Sequence, residues 1–130
     1  MDFSNIFAFL ILFPHFVVML LAVISFSVSI SMVVLHKPKN WLLLHKFFAS
    51  LGLFTSIIGL ILLRDLVLGI LHGILGLVSI ILFAVVIVIG LVAIYKKGKN
   101  VIKIHIWLSR IIYILTLFLI VLGIMTFLFF

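Results

Sequence analysis

The sequence predicts an all-α membrane protein whose four transmembrane helices form an up-down bundle. Hydrophobic residues make up 68% of the 130 residues and charged residues 8%. A soluble domain of this size cannot hide so much apolar surface, because small domains bury only part of what they carry. Four apolar stretches, each longer than the roughly 20 residues that cross a bilayer, occupy positions 6–35, 41–63, 66–95 and 104–130. A transmembrane β-barrel would instead need short alternating segments.

The first stretch could be mistaken for a signal peptide. It lacks a basic start and a small-residue cleavage site, is too long, and contains Pro14 followed by His15. We therefore expect it to be a permanent span. The other three stretches are separated from it and from one another by short polar connections, so we expect residues 1–130 to form a single four-helix domain.

The absence of cysteine limits the chemistry available to the chain. It excludes disulfides, thiolate-ligated heme or iron–sulfur clusters, and cysteine-based zinc sites.

The net charge of +7 comes from cations that are unevenly placed. Seven lysines lie in or beside the two connections on one side of the membrane: Lys37, Lys39, Lys46, Lys96, Lys97, Lys99 and Lys103. The positive-inside rule makes that side cytoplasmic, which puts both termini on the non-cytoplasmic side of what we expect to be the cell membrane. Topology and contact with anionic lipid account for these lysines, although they could also dock an anionic electron donor. No nucleic-acid partner is expected.

Four histidines lie within the apolar stretches, at two depths. Counting 1.5 Å per residue, His15 and His72 lie about 15 and about 10 Å from the outer ends of the first and third helices. His45 and His105 lie about 9 Å beyond Lys39 and Lys99, which mark the inner surface before the second and fourth helices. In an up-down bundle these helix pairs are diagonal, so each layer brings two imidazoles face to face. Two imidazoles opposed in this way are what a bis-histidine heme requires, and the sequence predicts two heme b groups bound through iron.

Small residues follow each histidine on the same helical face, since positions seven apart nearly superimpose. Gly52 and Gly59 follow His45 at that spacing, and Gly76 follows His72 one turn on. These glycines could leave room for a porphyrin. The alternative is ordinary close packing of helices in lipid.

Cations near each layer could neutralise the heme propionates. Lys46 and Lys103 are suitably placed for the inner ring, and Arg64 for the outer one. Arg110 lies deeper, where an arginine must be paired or must extend back toward the interface. It could therefore bind a propionate, or only neighbouring carbonyls.

Each histidine alone has simpler explanations. It could donate a hydrogen bond to a carbonyl across the bundle, or belong to a proton path. A proton relay would recruit carboxylates, yet the acidic residues are only Asp2 and Asp65, neither of them deep. A zinc site would draw its ligands together at one depth. The fifth histidine, His36, lies at the interface, and we do not expect it to be a ligand.

Three motifs resemble the cytochrome b561 superfamily: 41-WLLLH-45, 72-HGILG-76 and 105-HIWLSR-110. The resemblance extends over residues 14–123. It implies a core of four helices holding two bis-histidine hemes, with His15 paired to His72 and His45 paired to His105. It also implies an oxidoreductase of the ascorbate- or quinol-dependent kind.

The sequence therefore predicts a diheme b-type cytochrome in electron transport across the membrane, from a cytoplasmic donor to an acceptor on the other face. Alternatively, the same bundle is the heme-bearing membrane anchor of a larger respiratory or dehydrogenase complex that exchanges electrons with quinone. A partner subunit or a homodimer is compatible with either prediction. A small transporter would need an intramembrane carboxylate, and a structural protein without cofactor would leave the histidine layers unexplained.

Overall fold

The computed structural model describes residues 14–63 and 71–129, and those residues form four helices and no strand. We number them α1 (Pro14–Leu35), α2 (Trp41–Leu63), α3 (Leu71–Lys96) and α4 (Lys99–Phe129). All four are long and apolar enough to cross a membrane. The prediction of an all-α protein with four membrane-spanning helices is confirmed. The up-down order and the side of each terminus stay predictions.

The helix ends agree with the predicted spans except at the start of α4. α2 has the predicted bounds, α1 ends where predicted, and α3 ends one residue beyond the predicted 95. Positions 6–13, 66–70 and 130 of the predicted spans lie outside the described residues. The predicted start of the fourth helix at residue 104 is wrong, because α4 begins at Lys99. Backbone hydrogen bonding does not stop where an apolar run stops, and lysines at a membrane surface extend their charges into water.

The chain divides into two compact units, residues 1–64 and 65–130. In the first, α1 packs against α2, and we call this pair hairpin 1; in the second, α3 packs against α4 as hairpin 2. The helices of hairpin 1 are antiparallel, because Ser29 near the connection contacts His45 while His15 at the far end contacts Gly59. The single four-helix domain stays a prediction.

Each connection begins with a non-glycine residue in the left-handed conformation, His36 at φ 51° and Lys97 at φ 47°. A residue in this conformation ends the helix before it. The His36 ring also packs edge-on against Trp41, with ring centroids 4.9 Å apart. His36 therefore has a structural contact in the connection of hairpin 1.

Small residues on α2 allow the two helices of hairpin 1 to approach closely. A Cβ at Gly52 would lie 2.8 Å from the ring of Phe26, and a Cβ at Gly59 would lie 2.5 Å from the sulfur of Met19. Both glycines and Phe26 are buried. Close approach of this kind is how helices gain packing energy in lipid, where no hydrophobic force drives them together.

The two hairpins are versions of one repeated unit. The connections read KPKN at 37–40 and KGKN at 97–100, and each is followed five residues after its asparagine by a histidine, His45 or His105. Equivalent positions are also buried alike. Phe26 and Phe83 each follow the first histidine of their hairpin by about three helical turns, and they are 4% and 6% exposed. The fold thus contains two copies of a helix pair with one histidine on each helix.

Candidate functional site

Three of the four candidate histidines place a ring nitrogen against a main-chain carbonyl of the neighbouring helix. The Nδ1 of His15 lies 2.7 Å from the carbonyl oxygen of Gly59. The corresponding distances are 3.1 Å from His45 to Ser29 and 3.0 Å from His105 to Val86. All three rings are half-buried.

These contacts decide the tautomer of each ring. A carbonyl oxygen can only accept a hydrogen bond, so Nδ1 must carry the hydrogen and Nε2 the lone pair. Histidines that bind a metal through Nε2 commonly donate Nδ1–H to a carbonyl, which orients the ring and raises its basicity. The donor set of the three rings therefore fits axial ligation of a heme iron.

The contacts follow one register in both hairpins. In hairpin 1, the carbonyl partners Ser29 and Gly59 each follow the histidine of their own helix, His15 or His45, by about four helical turns. In hairpin 2, Val86 follows His72 at the same spacing. Three of the four histidines thus meet the neighbouring helix at an equivalent point, so the arrangement recurs in both hairpins.

Hairpin 2 adds a glycine beside each of its histidine rings. A Cβ at Gly90 would lie 2.7 Å from Cε1 of His105, and a Cβ at Gly123 would lie 2.7 Å from Cε1 of His72. Only a residue without a side chain lets the rings lie so close to the opposite helix. We call these two positions the glycine seats.

Sequence reasoning missed both seats. The pattern within a single helix draws no attention to Gly90, and although Gly123 shares a face of α4 with His105, that pattern does not show that Gly123 lies beside the ring of His72 on α3. The signal that finds them is the antiparallel register, since each seat follows the histidine of its own helix by about five helical turns. That register depends on the connection, whose exact conformation the spacing of apolar residues does not encode.

The glycines predicted to make room for a porphyrin behave in two ways. Gly52 and Gly59 lie against Phe26 and Met19, so within hairpin 1 they serve the packing of α1 on α2. A Cβ at Gly76 would meet nothing within 4 Å. Gly76 therefore keeps open space beside α3, and a role for any of the three next to a heme stays a prediction.

The predicted propionate partners are surface cations. Lys46, Lys103 and Arg110 are exposed. The guanidinium of Arg110 lies 5.8 Å from the ring centroid of Trp107, a cation–π contact one turn away on α4. Arg64 lies outside the described residues, as do both acidic residues of the chain. Within residues 14–63 and 71–129, the lysines therefore have no carboxylate partner.

Across the described residues, no three histidine, cysteine or acidic side chains come close enough together to hold a metal ion. Each predicted heme takes one histidine from hairpin 1 and one from hairpin 2. The pairing of His15 with His72 and of His45 with His105 stays a prediction.

No family model, curated protein or solved structure matches this chain. The resemblance to the cytochrome b561 superfamily rests on the motifs around His45, His72 and His105 alone. The contacts of the histidine rings are therefore the main support for the candidate site.

Proposed function

We propose that the protein is a diheme b-type cytochrome that carries electrons across a membrane. His15 and His72 are the axial ligands of one heme, and His45 and His105 those of the other. The observation that carries the proposal is the set of Nδ1–carbonyl contacts, which orient three imidazoles on helices long and apolar enough to cross a membrane, in the way that histidines binding a metal through Nε2 are commonly oriented.

A bis-histidine heme supplies a one-electron ferric–ferrous couple with no open coordination position for dioxygen. The chain's own residues hold and tune it. The carbonyls of Gly59, Ser29 and Val86 fix the planes and tautomers of three of the histidine rings. Lys46 and Lys103, one residue after His45 and two before His105, can neutralise propionates at the inner heme. The positive charge of these two lysines favours the reduced state of the inner heme.

A purely structural role for the histidines accounts for less of the geometry. One interhelical hydrogen bond per hairpin would be enough to hold two helices in register. The chain instead carries a histidine on each of four helices. In hairpin 2, a glycine on the opposite helix also lies beside each of the two histidine rings. Axial ligation explains why imidazole is used four times and why close approach of the rings is preserved.

The first test is spectroscopic. The protein is produced with ample heme, purified in detergent, and examined by reduced-minus-oxidised spectra and a pyridine hemochrome titration. Two hemes per chain with low-spin b-type spectra are expected. A colourless protein would refute the proposal, and one heme per chain would refute the two-layer arrangement.

Ligand assignment is tested by replacing histidines in pairs. The double variant His15→Ala/His72→Ala is expected to keep one heme, and so is His45→Ala/His105→Ala. The variant His36→Ala is the matched control and keeps both, because His36 lies in the connection against Trp41. Loss of both hemes from either double variant would contradict the pairing.

The orientation in the membrane is tested by labelling. The chain has no cysteine, so single-cysteine variants report accessibility cleanly. Lys39→Cys and Lys97→Cys are expected to react with a membrane-impermeant reagent only from the cytoplasmic side. Labelling of either from the opposite side in intact cells would overturn the proposal that the lysine-rich connections face the cytoplasm.

A further inference from the structure

Ser29 makes three hydrogen bonds with His45. The Nδ1 of His45 lies 2.8 Å from the Ser29 hydroxyl and 3.1 Å from the Ser29 carbonyl oxygen, and the Ser29 hydroxyl donates to the His45 carbonyl at 3.0 Å. Because the hydroxyl hydrogen is used on that carbonyl, the hydroxyl oxygen accepts from Nδ1–H. The ring is thus held by two acceptors on one residue, which is 2% exposed.

This use of a hydroxyl differs from the usual one in the described helices. The hydroxyls of seven other serines and threonines donate to a carbonyl of their own helix four residues earlier. That local bond is the ordinary way to satisfy a hydroxyl in a membrane helix. Ser29 instead reaches across to α2 and binds the candidate ligand.

The repeat provides a natural comparison. At the equivalent position in hairpin 2, Val86 offers His105 a carbonyl at 3.0 Å and has no hydroxyl to add. Val86 therefore cannot supply to His105 the hydroxyl acceptor that Ser29 supplies to His45.

We propose that Ser29 is a positioning residue for His45: the Ser29 hydroxyl fixes the plane of the imidazole and would make His45 a stronger donor to iron. This inference rests on the proposed function. A second acceptor at Nδ1–H raises the basicity of the imidazole, which favours the ferric state and lowers the reduction potential of the heme that it binds. Ser29 thus opposes the effect of Lys46 and Lys103 on the inner heme.

The test is a redox titration of the two-heme protein in detergent. Ser29→Ala removes the hydroxyl and keeps the carbonyl, and it is expected to raise one of the two potentials and leave the other unchanged. At a fixed applied potential, the ratio of ferric to ferrous heme is expected to fall by up to about tenfold. That change equals a rise of about 59 mV in the reduction potential of a one-electron couple. Ser29→Thr restores the hydroxyl and is expected to restore the potential.

Val86→Thr is the complementary variant, because threonine matches valine in shape and adds a hydroxyl beside His105. It is expected to lower the same potential that Ser29→Ala raises. The electron paramagnetic resonance signal of that ferric heme should move with the potential, which a general loss of stability would not cause.

The outcomes separate the two proposals. A wild-type chain without heme would refute the proposed function. Two retained hemes with unchanged potentials in Ser29→Ala would refute only the role of Ser29. If Ser29→Ala loses a heme, Val86→Thr decides: a lowered potential supports the inference, and an unchanged one overturns it.

Discussion

Replacing Gly90 with alanine puts a methyl group where the ring of His105 lies. The new Cβ would be 2.7 Å from Cε1 of that ring, whereas carbon atoms in contact are normally about 3.5 Å apart or more. Either the ring withdraws by about 0.8 Å, the shortfall from that contact distance, or α3 and α4 separate. Withdrawal strains the 3.0 Å hydrogen bond from His105 to the Val86 carbonyl.

The expected cost follows from two opposing effects. Overpacking a well-packed contact costs about 1–3 kcal/mol, and exchanging glycine for alanine inside a helix contributes about 1 kcal/mol in the other direction. Gly76→Ala is the matched control on the same helix, because its Cβ meets nothing within 4 Å. The free energy of unfolding of Gly90→Ala should therefore fall below that of Gly76→Ala by about 1–3 kcal/mol.

The measurement is reversible unfolding of the heme-free protein in mixed detergent micelles, followed by the fluorescence of its two tryptophans, Trp41 on α2 and Trp107 on α4. Heme-free protein is used because Gly76 is itself predicted to lie near a porphyrin. Equal stability of Gly90→Ala and Gly76→Ala would refute the glycine seat. With heme supplied, Gly90→Ala is also expected to load less heme than the wild-type chain, since the displaced ring carries a predicted axial ligand.

Two further predictions concern packing and the connections. Gly52→Ala should destabilise the protein by about 1–3 kcal/mol, because its Cβ would lie 2.8 Å from the buried Phe26 ring; adding Phe26→Ala should make the alanine at 52 neutral or favourable, and an unchanged penalty would contradict the assigned contact. Lys97→Gly should stabilise by about 1 kcal/mol by relieving a left-handed residue, as measured by the same unfolding assay. His36→Gly should gain less, because it loses the ring contact with Trp41, and an equal gain in both variants would contradict that contact.

The helices could be predicted because the local composition of the chain shows where each apolar run begins and ends. α2 has the predicted bounds at both ends, since Trp41 begins its apolar run after a polar connection and Arg64 follows it. The start of α4 could not be placed in the same way. The hydropathy of the segment from Lys99 to Lys103 is typical of a loop, yet the backbone of that segment is helical.

The four histidines of the candidate site could be predicted from the sequence, but the residues that contact their rings could not. Depth along each helix identified the four histidines without any knowledge of the neighbouring helix. The partners of the rings depend on which residue lies opposite, and that is set by the register of the hairpin. Ser29 lies on the same face of α1 as His15, and spacing along α1 does not show that its hydroxyl binds His45 on α2.

Both hairpins place a main-chain carbonyl opposite an imidazole at the same spacing. Ser29, Gly59 and Val86 each follow the histidine of their own helix by about four helical turns. Hairpin 2 adds Gly90 and Gly123, which follow the histidines of their own helices by about five turns. The two spacings differ by about one helical turn, so the carbonyl and the glycine lie on the same face of the helix.

The ring of His105 is therefore held by two contacts, the carbonyl of Val86 and the glycine seat at Gly90. A bulky residue at Gly90 or Gly123 should displace the ring of His105 or His72, whereas one on the outer face of the same helix should not. Under the proposed function, a ring held in this way would direct one nitrogen to iron.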